Sequence, residues 1–226
     1  MTSQQRHDLY GPIHKGLRLG SSRLLMALGQ IETRDARAVA DLIGQLRIHL
    51  QLAEEHLQHE DAEYNEPLRG RAPDLAAQLA EDHHHHYVTF RELDGLILAF
   101  ETADEASRAA VGRALYLRFS TYFGDDLAHM AREEQEALPA FHAHFSDQEL
   151  MDMESRIIQS ISPERLTQYY FIMLPGMNPA ERATFLRYIR ANAPPEAYSH
   201  ILEDVARAAL PPEQFRVLNE HLAYVA

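Results

Sequence analysis

Between Leu75 and Phe100 the apolar positions return every three or four residues, at Leu75, Leu79, Phe90, Leu93, Ile97 and Phe100, and His83 and His86 fall on the same stripe. That spacing marks an amphipathic α-helix, because residues three and four apart share one face. The stripe stays in register throughout and predicts a helix that begins near Asp74. It also predicts that two imidazoles are buried beside aliphatic and aromatic side chains.

The same period recurs along the chain, and no segment shows a sustained alternation of period two. Tyr10, Ile13, Leu17, Leu24, Leu28 and Ile31 predict a first helix that runs out near 29–33. Leu42, Leu46, Ala53, Leu57 and Tyr64 predict a second, ended by the turn-rich stretch 65–73 with Pro67, Gly70 and Pro73. The third is the striped helix already described, and 102–105 reads as the break after it. Leu115, Phe119, Tyr122, His129 and Leu138 predict a fourth helix from about Ser107, with Gly124 inside it as a mild cost. Four long helices with short connections predict an all-α, up-down-up-down four-helix bundle over 1–145.

The remainder, 146–226, reads as a C-terminal subdomain of short helices. Ser146 and Glu149 have the spacing of a capping box, Asn178-Pro179 places proline at a first helical position, and Pro194-Pro195 and Pro211-Pro212 punctuate the rest of the chain. Its apolar positions, among them Leu150, Ile157, Tyr169, Leu174, Phe185, Val205 and Leu218, carry no constellation of ligand residues.

A net charge of -13 opposes a nucleic-acid surface, since phosphate contacts need clustered lysine and arginine. The absence of cysteine excludes disulfides and thiolate chemistry, so any metal must be held by nitrogen and oxygen. The first residues form no apolar leader, and no run is long enough to span a bilayer, so a cytoplasmic protein without membrane contact is expected. Histidine is the unusual residue: there are 14, against 9 phenylalanines and no tryptophan.

Two distant segments are nearly the same. His-Leu-Gln-His-Glu-Asp-Ala-Glu begins at His56, and His-Met-Ala-Arg-Glu-Glu-Gln-Glu begins at His129. Each sets a histidine four residues before a glutamate, His56 with Glu60 and His129 with Glu133, so that an imidazole and a carboxylate share one helix face. His59 and Glu63 stand at the same spacing, but His56 and Glu60 align with the second segment. His14 lies on the stripe of the first helix, and His83 and His86 on that of the third. Seven such groups, His14, His56, Glu60, His83, His86, His129 and Glu133, would be costly to bury without partners. Converging on a bundle interior they suit two first-row metal ions, with carboxylates bridging and a position left for a small ligand.

An early His-Lys followed by Gly-Leu-Arg, with His-x-x-x-Glu segments on the second and fourth helices and a histidine-bearing third helix between them, resembles the hemerythrin-like (HHE cation-binding) domain. The resemblance covers roughly 1–145. It implies a four-helix bundle with an oxo- or carboxylate-bridged di-iron centre that binds or senses dioxygen or a related small ligand, or responds to iron and redox state. His14 would be the first-helix ligand, His56 and His129 terminal ligands, and Glu60 and Glu133 the bridges. The third helix departs from the family pattern of His-x-x-x-His: Tyr87 follows His83 by four residues, and Asp82 precedes His86 by four. A Tyr87 phenolate ligand and a site short of one ligand both stay open there.

The expected function is therefore reversible binding or sensing of dioxygen or another small ligand at a non-haem di-iron site, rather than turnover of an organic substrate. Two alternatives differ in kind. One is a regulatory or protein-interaction protein, with a protein partner or a second copy of itself, in which the metal site is structural or vestigial. The other is a di-metal oxidase or peroxidase-like enzyme.

Overall fold

The computed structural model describes residues 6–223, and the described chain is helical with no strand. In chain order the helices are α1 (Gly11–Gln30), α2 (Ala36–Glu60), α3 (Glu66–Arg69), α4 (Pro73–Thr102), α5 (Glu105–Arg132), α6 (Leu138–His144), α7 (Asp147–Ser160), α8 (Pro163–Gly176), α9 (Pro179–Asn192), α10 (Pro195–His200), α11 (Arg207–Ala209) and α12 (Pro212–Ala223). No helix among the described residues is long and apolar enough to cross a membrane.

Side chains at the helix starts take up N–H groups that the first turn leaves without a partner. Asp35 accepts from the amides of Arg37 and Ala38 at 3.0 Å each, and Asp104 accepts from that of Ser107 at 2.8 Å. The box expected at Ser146 closes in both directions: the Ser146 amide donates to Glu149 Oε2 at 2.8 Å, and the Glu149 amide donates to Ser146 Oγ at 3.3 Å. Asn178 and Glu181 form a second reciprocal box at the start of α9.

Two long helices end otherwise than their apolar period predicts. After Glu60 the chain passes into a π-helical turn, Asp61–Asn65, and after Arg132 into another, Glu133–Ala137. In each case a proline stands two residues beyond the turn, Pro67 and Pro139. Proline has no N–H for the carbonyl four residues back, and its ring crowds that carbonyl; a turn widened by one residue relieves both conflicts. The fourth helix, expected to run unbroken through Leu138, is divided this way into α5 and α6.

The chain separates into two compact units. The first comprises 6–10 and Gly20–Ile157. Here α4 packs along α5 and α2, and Leu46, Leu93, Ile97, Phe100, Leu115, Phe119 and Tyr122 are completely buried. A second apolar cluster gathers Tyr10, Tyr64, Leu68, Leu79 and Phe141 with Leu150 and Met153 of α7. The cap at Ser146 places α7 in an extension starting at 146. Its buried face joins it instead to the first unit, and the division falls between Ile157 and Ile158.

His49 is buried on α2 beside Ser21, whose Oγ lies 2.7 Å from His49 Nε2. A Cβ on Gly20 would stand 2.7 Å from this ring, so glycine is needed for the close approach. Burial lowers the His49 pKa to about 4. The folded state thus favours neutral imidazole, whereas the unfolded chain takes up a proton near pH 6.5. His49's contribution to stability is complete above about pH 6.5 and is lost as the pH falls toward 4, by about 3 kcal/mol in all. Urea unfolding of metal-free protein at pH 7.5, 6 and 5 should show a shallower acid loss in His49→Gln than in the parent; equal losses would refute this role.

The second unit comprises Gly11–Leu19 and 158–223. Its core is built from Leu174, Leu186, Ile201, Val205, Leu210, Leu218 and their neighbours. Gly176 lies where a Cβ would come within 2.6 Å of the Lys15 carbonyl oxygen, and Lys15 Nζ pairs with Glu181 Oε1 at 2.5 Å. Arg182, itself buried, donates from Nε to the Leu174 carbonyl at 2.6 Å and supplies a partner at the end of α8.

Candidate metal centre

The first unit brings Glu60, His83, His129 and Glu133 together. One ligand atom from each lies within 4.8 Å of all the others, and all four residues are buried. They come from the end of α2, the middle of α4, the end of α5 and the π-turn that follows α5. His56 joins through Glu60, one helical turn away. Glu60 Oε1 is 3.1 Å from His56 Nε2, and its Oε2 is 3.7 Å from His83 Nε2. Glu133 Oε1 is 3.6 Å from His83 Nε2, and its Oε2 is 3.4 Å from His129 Nε2. Imidazoles and carboxylates therefore alternate in space, His56, Glu60, His83, Glu133, His129, with each carboxylate between two rings.

Neither His83 Nε2 nor His129 Nε2 makes a hydrogen bond to a described residue. Two ligand atoms held at roughly 2.1 Å from a shared cation, at angles of 90–109°, stand about 3.0–3.4 Å apart. The nitrogen–oxygen separations here run from 3.1 to 3.7 Å, at that spacing and a little beyond it, and all but the first are longer than most hydrogen bonds. An all-nitrogen-and-oxygen donor set of this kind suits a divalent first-row metal. The residues fit a metal.

The electrostatics agree with a site built for a cation. Burial alone would lower the His83 pKa, but hydrogen bonding to Asp61 and the Glu133 and Glu60 carboxylates outweigh it and raise it to about 10. His129 is raised too, its burial outweighed by Glu133 and Asp82. Without metal, a proton on His83 balances the buried carboxylates. His86 behaves oppositely: burial first, then the neighbouring His129 and His83, lowers it to about 3, so its ring stays neutral.

The other sequence candidates fall outside this group of four. His86 is buried with its ring 5.2 Å from that of His129 and 5.9 Å from that of Tyr122, centroid to centroid, but it is not one of the group of four. His14 is completely buried on α1, in the Gly11–Leu19 segment of the second unit. His59 is only half-buried, and Glu63 pairs with Arg156 at 2.5 Å, so that competing pair is engaged elsewhere. His84 and His85 are exposed, as are His144, His200 and His221. His142 bonds the His7 carbonyl through Nε2 at 2.8 Å.

Asp61 is the residue that reading by period misses. It follows Glu60 directly, where a regular helix would turn it to another face, yet its Oδ1 lies 2.7 Å from His83 Nδ1. Asp61 Oδ2 accepts from the Tyr87 hydroxyl at 2.8 Å, and Oδ1 accepts from Asn65 Nδ2 at 2.9 Å. Burial and then Asp61 hold the Tyr87 phenol well above its ordinary pKa, which makes it a donor here rather than a phenolate. Asp82 is 3.5 Å from His129 Nδ1 and is paired with Arg132. Of the two candidates for extra ligands, Asp82 thus stands one hydrogen bond behind the cluster and Tyr87 two, through Asp61. The signal that could have located Asp61 is the proline two residues past each π-turn.

Comparison with protein-family models, with curated proteins and with solved structures returns no match in any of the three.

Proposed function

We propose that the long helices α1, α2, α4 and α5 act as a hemerythrin-like up-down-up-down bundle holding two iron ions, and that the protein binds or senses dioxygen or another small ligand. The observation that carries this reading is the buried alternation of His56, Glu60, His83, Glu133 and His129, each carboxylate lying between two imidazoles. Glu60 and Glu133 would bridge. His56, His83 and His129 would ligate through Nε2, and His86 would complete the first unit's set. Bound iron would supply a reversible change of oxidation state and an open position for the small ligand. The chain's own part is to hold the donors in place and to exclude water: Glu60, His83 and Glu133 are each 1% exposed. A histidine-rich donor set with only two carboxylates favours binding over the oxidations run by carboxylate-rich di-iron sites.

The test is elemental analysis of untagged protein, paired with optical spectra of the anaerobic Fe(II) form before and after air. About two irons per chain with a new visible charge-transfer band is the expected result. Zinc alone, with a spectrum that air leaves unchanged, would overturn the oxygen-responsive reading in favour of a structural metal site. Turnover of an added organic reductant at the same site would favour the oxidase or peroxidase-like alternative.

A further inference from the structure

The two imidazoles of the four-residue group share a feature that ligation alone does not require. Each turns Nε2 toward the glutamates and Nδ1 toward an aspartate: His83 to Asp61 at 2.7 Å, His129 to Asp82 at 3.5 Å. A neutral imidazole has one N–H and one lone pair, and a carboxylate at Nδ1 takes the N–H. The lone pair is then left on Nε2, the atom that faces the cluster. A carboxylate behind a metal-bound histidine fixes the ring's orientation and raises its basicity.

The two aspartates are not equivalent. Besides His83, the partners of Asp61 among the described residues are neutral donors, the Tyr87 hydroxyl and the Asn65 amide. Asp82 is paired with the Arg132 guanidinium, which offsets its charge, and its contact with the ring is at the long limit of a hydrogen bond. The π-turn Asp61–Asn65 contributes both Asp61 and Asn65, so the backbone irregularity after Glu60 builds the stronger support.

We propose that Asp61, seated in the π-turn after Glu60 and braced by Tyr87 and Asn65, is the principal positioning residue of the metal site through His83, and that Asp82 serves His129 in the weaker, Arg132-neutralised form of the same arrangement. The proposal rests on the metal-site reading of the cluster. It makes the two ends of the site unequal: the His83 end is held in a single ring orientation with the more basic nitrogen, and the His129 end is held more loosely.

Cobalt(II) and zinc(II) affinities of the full chain, measured at one fixed pH by competition with a chromophoric chelator, test it. Asp61→Asn should weaken binding by about 10–100-fold, the cost of removing such a partner behind a ligand. Asp82→Asn should cost severalfold less, and Tyr87→Phe less again. Metal stoichiometry should stay at the parent value. The visible bands of the cobalt form should shift in Asp61→Asn and return toward the parent in Asp61→Glu, a response that a purely structural role would not produce. Long-range proton–nitrogen NMR spectra of the zinc form should show the proton of His83 on Nδ1 in the parent. Equal affinities in the parent and Asp61→Asn, or a larger loss in Asp82→Asn, would overturn the proposal while leaving the metal site standing. A parent protein that binds neither metal would overturn both.

Discussion

Glu133→Ala is expected to lose metal almost completely. Glu133 is 1% exposed and faces His83 Nε2 at 3.6 Å and His129 Nε2 at 3.4 Å, so its removal takes away the carboxylate between those rings. Removing a partner behind a ligand costs about 10–100-fold in affinity, and removing a ligand that serves two imidazoles should cost about 100-fold or more. His56→Ala should also lose metal, because Glu60 would then lose the imidazole that lies 3.1 Å from its Oε1. His200→Ala is the control: His200 is exposed and pairs with Asp204 at 2.8 Å, outside the first unit. Elemental analysis after gel filtration, with circular dichroism to verify helix content, reads the outcome. Equal metal content in all three variants would remove Glu133 and His56 from the site.

The second large effect is thermal. A ligand that binds only the folded chain stabilises it by about 4 kcal/mol when present at about 1,000 times its dissociation constant. For a protein of this length each kcal/mol moves the midpoint by about 2–4 °C, so saturating metal should raise it by roughly 8–16 °C. The metal-free site gives a structural reason for a gain of that order. His83 Nε2 and His129 Nε2 are buried without a hydrogen bond to a described residue, and Glu60 and Glu133 bring two carboxylates into the same interior. A metal ion would satisfy those nitrogens and neutralise that charge at once. Thermal unfolding of metal-loaded protein, of the same sample after a chelator, and of Glu133→Ala with metal added distinguishes the effect from salt. The rise should vanish in the second and third samples. A midpoint that ignores metal in the parent would show that these groups do not hold it.

Helical period is enough to select His83 and His86 over His84 and His85, because four consecutive helical positions point in four directions and only two can follow the apolar stripe. It is enough, with the matched flanks, to prefer His56 and Glu60 over His59 and Glu63, and the structure leaves His59 half-buried and Glu63 held by Arg156. The helix starts at Ser146 and Asn178 are legible for a similar reason, since a capping box is a contact between residues three apart. The all-helical class, the break after Thr102 and the burial of His14, Glu60, His129 and Glu133 belong to the same local information.

Partners far apart in the chain and changes of helical pitch lie outside what the local period encodes. Period assigns a residue to a face only while the pitch is constant, and the two π-turns alter it just where the glutamates sit. Asp61, 22 positions from His83, is therefore its nearest hydrogen-bonding partner, a pairing that the proline past the turn signals only as a change of pitch. Asp82 and Tyr87, equally plausible as ligands by spacing, were placed behind the rings by packing between helices. The membership of α7 in the first unit turned on the pocket that Tyr64, Leu68 and Phe141 offer to Leu150 and Met153. Helical period assigns the donors to faces; the packing of those faces sets which donor atoms meet, because distance between helices is not encoded in the period of any one of them.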